Sequence, residues 1–201
     1  MSLQPPDLRP GEAAALAART SARAADEGIA EIAYATVDSP VGRLVAITTP
    51  RGLARLAYEL ENGGLDGILD DAALRLSPAI VEAPARLDAV RRELDEYFEG
   101  RRHEFDLALD WALTGAGFRR RVLQQCARIP FGATSTYKAM AIAAGSPTAF
   151  RAAGNALGSN PIPIVVPCHR VLHTGGRGIG NYTGGVHRKE ALLRLEGVLL
   201  G

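Results

Sequence analysis

Apolar and polar positions change rhythm several times along this chain of 201 residues. Residues 1–28 are rich in Pro, Ala and Arg and hold no aromatic residue. Gly11 to Leu16 could form a short helix, but the stretch has little to bury and reads as a mobile extension or a loosely docked helix. From Ile29 to Val37 the pattern predicts a strand, with Asp38-Ser39-Pro40-Val41-Gly42 as a turn. Leu44 to Thr48 predicts a second strand, Gly52 a break, and Leu53 to Leu60 a third, which together make an antiparallel meander. Glu61 to Pro78, with its glycines and aspartates, reads as a surface excursion. Leu87, Val90, Leu94, Tyr97 and Phe98 fall at helical spacing before Gly100, so a helix should lay this face on the sheet. Phe105, Leu107 and Leu109 alternate like a further short strand.

Past Thr114 to Gly117, which reads as a hinge, the pattern becomes helical. Phe118, Val122, Leu123 and Cys126 share one helical face, with Arg119, Arg120 and Arg121 turned away and Pro130 as the stop. Thr136 can cap a short helix from Tyr137 to Ala144 that Gly145 ends. Ser146-Pro147 has the chemistry of a helix start, for a helix running through Arg151 to about Leu157. Two short helices joined by a Gly-containing turn make a helix-turn-helix candidate. The division is an extension at 1–28, an α/β unit at 29–114 and a helical unit at 115–201. The fold class is α+β.

Composition narrows the classes. At 47% apolar and 22% charged, the chain is neither disordered nor a disulfide scaffold, and no apolar stretch approaches the ~20 residues of a bilayer span. No signal peptide opens it, so a cytoplasmic protein is expected, associated with the nucleoid when bound to DNA. Two cysteines, Cys126 and Cys168, and four scattered histidines make no metal cluster, so no metal or other cofactor is expected. The net charge of +1 hides an asymmetry. Residues 115–201 hold eleven basic and two acidic residues (+9), and residues 1–114 hold twelve basic and twenty acidic (−8). Clustered positive charge is the footprint of a polyanion, usually nucleic acid, although a solvated basic face attracted to the acidic half reads the same way.

The candidate chemistry lies in the second half. On the helix around Arg151, small residues (Ala149, Ala152, Ala153, Gly154, Ala156) surround one long cation. That suits close approach to a groove with a single side chain inserted between bases; equally, the alanines can pack on a neighbouring helix. Asn160 to Val171 contains three prolines and a β-branched run, which predicts a stiff, extended segment delivering Cys168 at its end. Cationic neighbours in His169-Arg170 favour the thiolate. No Lys stands beside Cys168 in sequence, so activation should come from His169, Glu196 or a helix end. Gly175 to Gly185 is a Gly-rich loop able to close on a flat ligand, without the Gly-Lys-Ser/Thr ending of a phosphate loop.

Pro167-Cys168-His169-Arg170-Val171, with Ile129-Pro130-Phe131-Gly132, Thr136-Tyr137, Arg151-Ala152-Ala153-Gly154 and Asn181-Tyr182-Thr183-Gly184-Gly185, resembles the O6-alkylguanine-DNA alkyltransferases. The likeness runs from Phe118 to Glu196-Gly197 and in layout from Asp38 to Phe98, and excludes residues 1–28. It implies a small antiparallel-sheet domain of ribonuclease H type followed by a helical, winged-helix-like DNA-binding domain carrying the active cysteine. It implies that Cys168 accepts an alkyl group from guanine O6 and keeps it. His169 would act through a water as base, Glu196 would orient His169, and Asn160 would brace the turn. Arg151 would enter the duplex and replace a flipped base, with Ala152 and Gly154 against the DNA, and Tyr137 would crowd the target phosphate. Tyr137, Leu157, Pro163, Val171, Tyr182 and Thr183 would line the pocket. The partner implied is double-stranded DNA carrying O6-alkylguanine, with no membrane and no obligate protein partner. Three departures stand out: Gly158-Ser159 replaces the Arg- or His-rich character often seen before Asn-Pro, the Gly-rich loop is one residue longer than in some relatives, and amino-terminal zinc ligands are missing.

Three other readings remain at this level. A Cys–His hydrolase needs the imidazole on the thiol, whereas an adjacent His in an extended segment points elsewhere. A non-catalytic lesion binder of the alkyltransferase-like kind lacks the cysteine present here. A helix-turn-helix regulator needs base-reading polar residues that the Arg151 helix lacks.

Overall fold

The computed structural model describes residues 31–176 and 178–199. The expectations for residues 1–28, and for Ile29 and Ala30, lie outside the described residues. Strands β1 (Ile32–Val37), β2 (Leu44–Thr49) and β3 (Gly52–Tyr58) form the meander, with Tyr34 opposite Ile47 and Val45 opposite Ala57. The β1–β2 turn is closed by Ser39, whose hydroxyl donates to the Gly42 carbonyl at 2.5 Å and accepts from Val41 N at 3.3 Å. A fourth strand, β4 (Ile80–Glu82), runs parallel to β1 and gives the order β3-β2-β1-β4.

Both faces of this sheet are covered. Ala33, Ala35, Leu44, Ala46 and Tyr58 join the main core with helix α2 (Asp88–Phe98) and the second half of the chain. Ile32, Val45, Ile47 and Ala57 pack on Ile68 and Ala72 of helix α1 (Gly64–Arg75). That is why β2 is buried over five successive residues instead of alternating.

Helix α1 corrects the reading of Glu61 to Pro78 as a surface excursion. Leu65, Ile68, Leu69 and Ala72 recur at helical spacing, and Gly63 at φ 79° turns the chain into the helix rather than breaking it. The strand expected at Phe105 to Leu109 is absent too. A single bridge, Leu53 to Leu109, forms there, framed by Leu53 N to Ala108 O at 2.8 Å and Asp110 N to Leu53 O at 2.9 Å. Gly52 lies so close to the Ala108 carbonyl that a Cβ would collide with it.

Helix α3 (Phe118–Cys126) buries Val122, Leu123 and Cys126 and ends four residues short of Pro130. Its three arginines do not simply face solvent. Arg119, Arg120 and Arg121 donate to the carbonyls of Ser159 (2.5 Å), Trp111 (3.0 Å) and Ala144 (3.0 Å). Helix α4 (Tyr137–Ala143) is capped by Thr136, whose hydroxyl accepts from Ala139 N at 3.1 Å, and is closed by Gly145 at φ 79°. Helix α5 (Phe150–Gly158) begins after a turn in which the Ser146 carbonyl accepts from Ala149 N, so Ser146 shapes the turn instead of capping the helix. The strand pair β5 (Ser135–Thr136) and β6 (Val171–Leu172) ties the start of α4 to the chain beyond Cys168, and α6 (Val186–Leu195) buries Leu192 and Leu193.

Between α5 and Cys168 the chain is not extended. Val166 N donates to Ile162 O at 2.8 Å, and Ile164 sits in the left-handed region at φ 74°. A β-branched residue there carries about 1–2 kcal/mol of strain. Prolines fix φ but not the direction of the segment, and this reversal takes Ile162, Ile164 and Val166 out of solvent together.

Candidate active site

Cys168 opens a short 3-10 turn, Cys168–Arg170, directly after the reversal. It is 5% exposed and lies at the floor of a cleft of about 730 Å3 between α4, α5 and the Asn181–Tyr182 loop. Asn160 fixes this floor from three sides. Its Nδ2 donates to the Val166 carbonyl at 2.7 Å and to Cys168 Sγ at 3.2 Å, and its Oδ1 accepts from Ile162 N at 3.0 Å.

Behind the thiol, Glu196 gathers a buried polar cluster. Its carboxylate accepts from Tyr97 OH at 2.7 Å and from Arg170 Nε and Nη2 at 2.8 Å each, and His169 Nε2 lies 2.8 Å away. Burial alone would raise the Glu196 pKa, but the hydrogen bonds from His169 and Arg170 outweigh it and hold it at about 2. Burial pushes the His169 pKa down despite Glu196, so the imidazole is neutral at pH 7. An ionised Glu196 can only accept, so Nε2 carries the proton. The other nitrogen, Nδ1, is then a free lone pair; it is buried and has no hydrogen-bond partner.

Cys168 itself is raised to about 11, first by burial, with Asn160 and Lys189 pulling the other way. Near pH 7 only about one thiol in 10⁴ is therefore ionised at rest, and a base is needed. Lys189 revises the expectation that no Lys stands by the cysteine. It projects from α6, is fully buried, and donates to the Val171 carbonyl at 2.6 Å and, more weakly, to that of Asn181 at 3.4 Å. Burial lowers it to about 8, against the pull of Cys168 and Cys126. Cys126 is raised well above the ordinary thiol range by burial and sits in the core.

The sequence candidates fall into two groups. Cys168, Tyr137, Arg151, Gly154, Leu157 and Tyr182 line the cleft. Arg151 is exposed, its guanidinium 5.8 Å from the Phe150 ring centre, and Ala152 is exposed beside it. Pro163 and Thr183 line a different groove, with Thr183 Oγ1 donating to the Gly158 carbonyl at 3.2 Å, and Val171 is fully buried in the core. Sequence reasoning missed Tyr97, Lys189 and Tyr58. The Tyr58 hydroxyl lies 3.0 Å from that of Tyr182, so β3 backs a residue that lines the cleft. It also overcounted free positive charge in the second half. Among the described residues, Arg119, Arg120 and Arg121 bind carbonyls, Arg170, Arg188 and Lys189 are buried, and Arg194 pairs with Glu190. Arg128, Lys138 and Arg151 are exposed, as are Arg121 and Arg194 beside the partners just given. Among the described residues no group of three or more His, Cys, Asp or Glu could hold a metal ion, and no helix is long and apolar enough to cross a membrane.

Residues 32–111 match the family model described as 6-O-methylguanine DNA methyltransferase, ribonuclease-like domain, and residues 117–198 match its DNA binding domain. A methylated-DNA–protein-cysteine methyltransferase of Mycolicibacterium paratuberculosis is 39% identical over 82% of this chain and 92% of its own length. The chain belongs to the methylated-DNA–protein-cysteine methyltransferase family. A methyltransferase of Methanosarcina barkeri is 34% identical over 81% of this chain and 96% of its own. Among solved structures, the O6-methylguanine methyltransferase of Mycobacterium tuberculosis superimposes with a TM-score of 0.70 at 35% identity, covering 85% of this chain and 95% of that one. The M. tuberculosis OGT protein in complex with DNA gives 0.69 at 38%, covering 82% and 92%. In this methyltransferase the two family regions meet behind the cleft wall, where Tyr58 of the first contacts Tyr182 of the second.

Proposed function

We propose that the chain repairs DNA by direct reversal: it binds duplex DNA, rotates an O6-alkylguanine into the cleft and takes the alkyl group permanently onto Cys168. The observation that carries this reading is a buried thiol at the floor of a roomy cleft, backed by a neutral imidazole with one free nitrogen. The target oxygen lies inside the paired stack, so the base must leave it at a cost of a few kcal/mol. Arg151, exposed among small residues on α5, fills the gap, while Ala152 and Gly154 allow α5 to approach and Tyr137 crowds the target phosphate.

In the cleft, His169 takes the thiol proton through a water, held in the right tautomer by Glu196, while Asn160 keeps Sγ in place. The sulfur lone pair attacks the alkyl carbon, an S–C bond forms and the C–O6 bond breaks. The electron pair of that bond stays with guanine, the proton held by His169 passes to its ring, and the restored base, still attached to its strand, returns to the duplex. Tyr182 donates to the guanine ring and the Thr183 main chain approaches O6. Atoms and charge balance without a co-reactant, and the thioether is not reversed, so each molecule acts once.

A Cys–His hydrolase would need an imidazole nitrogen on the thiol; the side chain bonded to Sγ here is Asn160. Intact-mass measurement after incubation with duplex DNA carrying O6-methylguanine tests the proposal. One methyl per molecule, located on Cys168, is expected. Multiple turnovers, or transfer persisting in Cys168→Ser, would refute it.

A further inference from the structure

A second groove, of about 220 Å3, opens where the end of α5 meets the first half of the chain. Three guanidinium groups line it: Arg55 from β3, Arg75 from the end of α1 and Arg119 from α3. No carboxylate is among the lining residues. Arg55 and Arg75 share one acidic partner, Asp71, which pairs with Arg55 and lies 3.4 Å from Arg75, so with Arg119 the cluster carries three positive charges against one negative. Arg75 donates with its remaining Nη2 to the Leu113 carbonyl at 3.0 Å, and Arg119 donates with Nη2 to that of Ser159 at 2.5 Å. Arg119 Nε is buried with no hydrogen-bond partner. A buried, charged donor left unmade is costly, and native folds keep such a group when something else is there to accept. Burial and the neighbouring Arg75 both push the Arg119 pKa down, as expected where like charges are packed without enough counter-charge.

Size and position narrow what that acceptor is. The groove is below the roughly 300 Å3 at which drug-sized ligand sites begin, so it has room for a small anion with water. Guanidinium forks match phosphate geometry in particular. Gly158 and Ser159 form a wall of this groove and also of the Cys168 cleft, and neither residue brings charge of its own. An anion seated here is therefore next to whatever occupies the cleft.

We infer that this groove is a phosphate subsite holding a backbone phosphate of the strand whose damaged nucleotide enters the Cys168 cleft. The inference rests on the DNA-binding reading above and extends it: the first half of the chain, acidic overall, contributes two of the three cations that grip the DNA.

The test titrates the full-length protein and its Arg75→Gln variant with labelled, undamaged duplex across a salt series, and times the reaction of each with free O6-benzylguanine. Arg75→Gln is expected to weaken DNA binding by about three- to tenfold and to lower the slope of log affinity against log salt by about 1, the signature of one lost phosphate contact. Its rate with the free base should equal that of the wild type, which also shows that the variant is folded. Arg119→Gln should lower the slope in the same way. Asp71→Asn, which removes the one carboxylate, should strengthen binding. Equal affinity and equal slope in Arg75→Gln and wild type would overturn the inference. So would a melting temperature that inorganic phosphate, at constant ionic strength, raises in wild type but not in Arg75→Gln while DNA affinity stays the same, because the groove then takes free phosphate. A wild type that reacts with the free base yet binds no duplex overturns both the inference and the reading on which it rests.

Discussion

Replacing Glu196 by Gln removes the charge on which Tyr97, His169 and Arg170 converge. The pKa of this carboxyl is lowered from 4.5 to about 2 in the folded chain. At about 1.36 kcal/mol per unit, ionised Glu196 contributes about 3 kcal/mol to stability at neutral pH. A group whose folded pKa is depressed contributes in full above its unfolded value and loses that contribution as pH falls through the folded value. Less than half of it should therefore remain at pH 3. His169 acts in the same direction one step earlier, because burial keeps it neutral below its ordinary value of 6.5, and this part is lost as pH drops below about 6.5. Gln also leaves Arg170 buried without a counter-charge, a change that typically costs about 3–5 kcal/mol and is a large share of the 5–15 kcal/mol that holds a domain together. Urea unfolding of wild type and Glu196→Gln near pH 7, 5 and 3 reads this directly. A gap of about 3 kcal/mol or more at pH 7 is expected, narrowing by about 2 kcal/mol at pH 3. A gap under about 1 kcal/mol at pH 7, or one that does not change with pH, would refute the reasoning. The folded fraction of the variant should also react more slowly with free O6-benzylguanine at neutral pH and recover partly in alkali, as expected when a base rather than the pocket is impaired.

Two further changes separate roles at the cleft. Arg151→Ala should impair repair of duplex DNA far more than reaction with the free alkylated base, compared by single-turnover rates on both substrates; equal losses would show that Arg151 only supports the fold. At Gly184 a Cβ would run into the Tyr58 ring, which is held between the Arg188 guanidinium at 4.6 Å and Tyr182, so Gly184→Ala should destabilise by about 1–3 kcal/mol in urea unfolding and slow the free-base reaction.

What the sequence reveals depends on whether a contact is local. Thr136 capping α4, Gly145 closing it, and the apolar stripe Val90-Leu94-Tyr97 are local signals and are readable from the chain alone. Helix α1 is harder to see because Gly67 and three aspartates obscure a four-residue apolar stripe, and because the sheet face that it covers only becomes evident once β2 is seen to be buried on both sides. Pro-rich spacing suggests a stiff, extended Asn160–Pro167 segment, but prolines do not give direction, and the left-handed turn at Ile164 that reverses it has no propensity signal in a β-branched residue. Motif likeness brings Cys168, His169 and Glu196 forward. Tyr97 and Tyr58 reach the same place from other parts of the chain, 99 residues before Glu196 and 124 before Tyr182 in sequence, and no pattern within either strand or helix marks them. The net charge of the second half misleads for the same reason: among the described residues, Arg119, Arg120, Arg170, Arg188 and Lys189 turn inward to acceptors that only the folded chain supplies.

The order in which the Glu196 cluster is assembled has a consequence for synthesis. Tyr97 emerges from the ribosome first, then Cys168, His169 and Arg170, and only later Lys189 and Glu196, in a chain made at roughly 5–20 residues per second. Until α6 docks, the imidazole has no acceptor for its Nε2 proton and Arg170 has no carboxylate, so the nascent cysteine is an ordinary thiol in an unfinished pocket. Neither half should therefore work alone. The first carries Tyr58 and Tyr97 but no nucleophile, and the second carries the nucleophile but neither tyrosine. Expressed as two separate pieces, the protein should be silent, and its reactivity should return only when the pieces associate, which makes residues 112–116, between the two matched family regions, a natural place for a split reporter that is switched on by reunion.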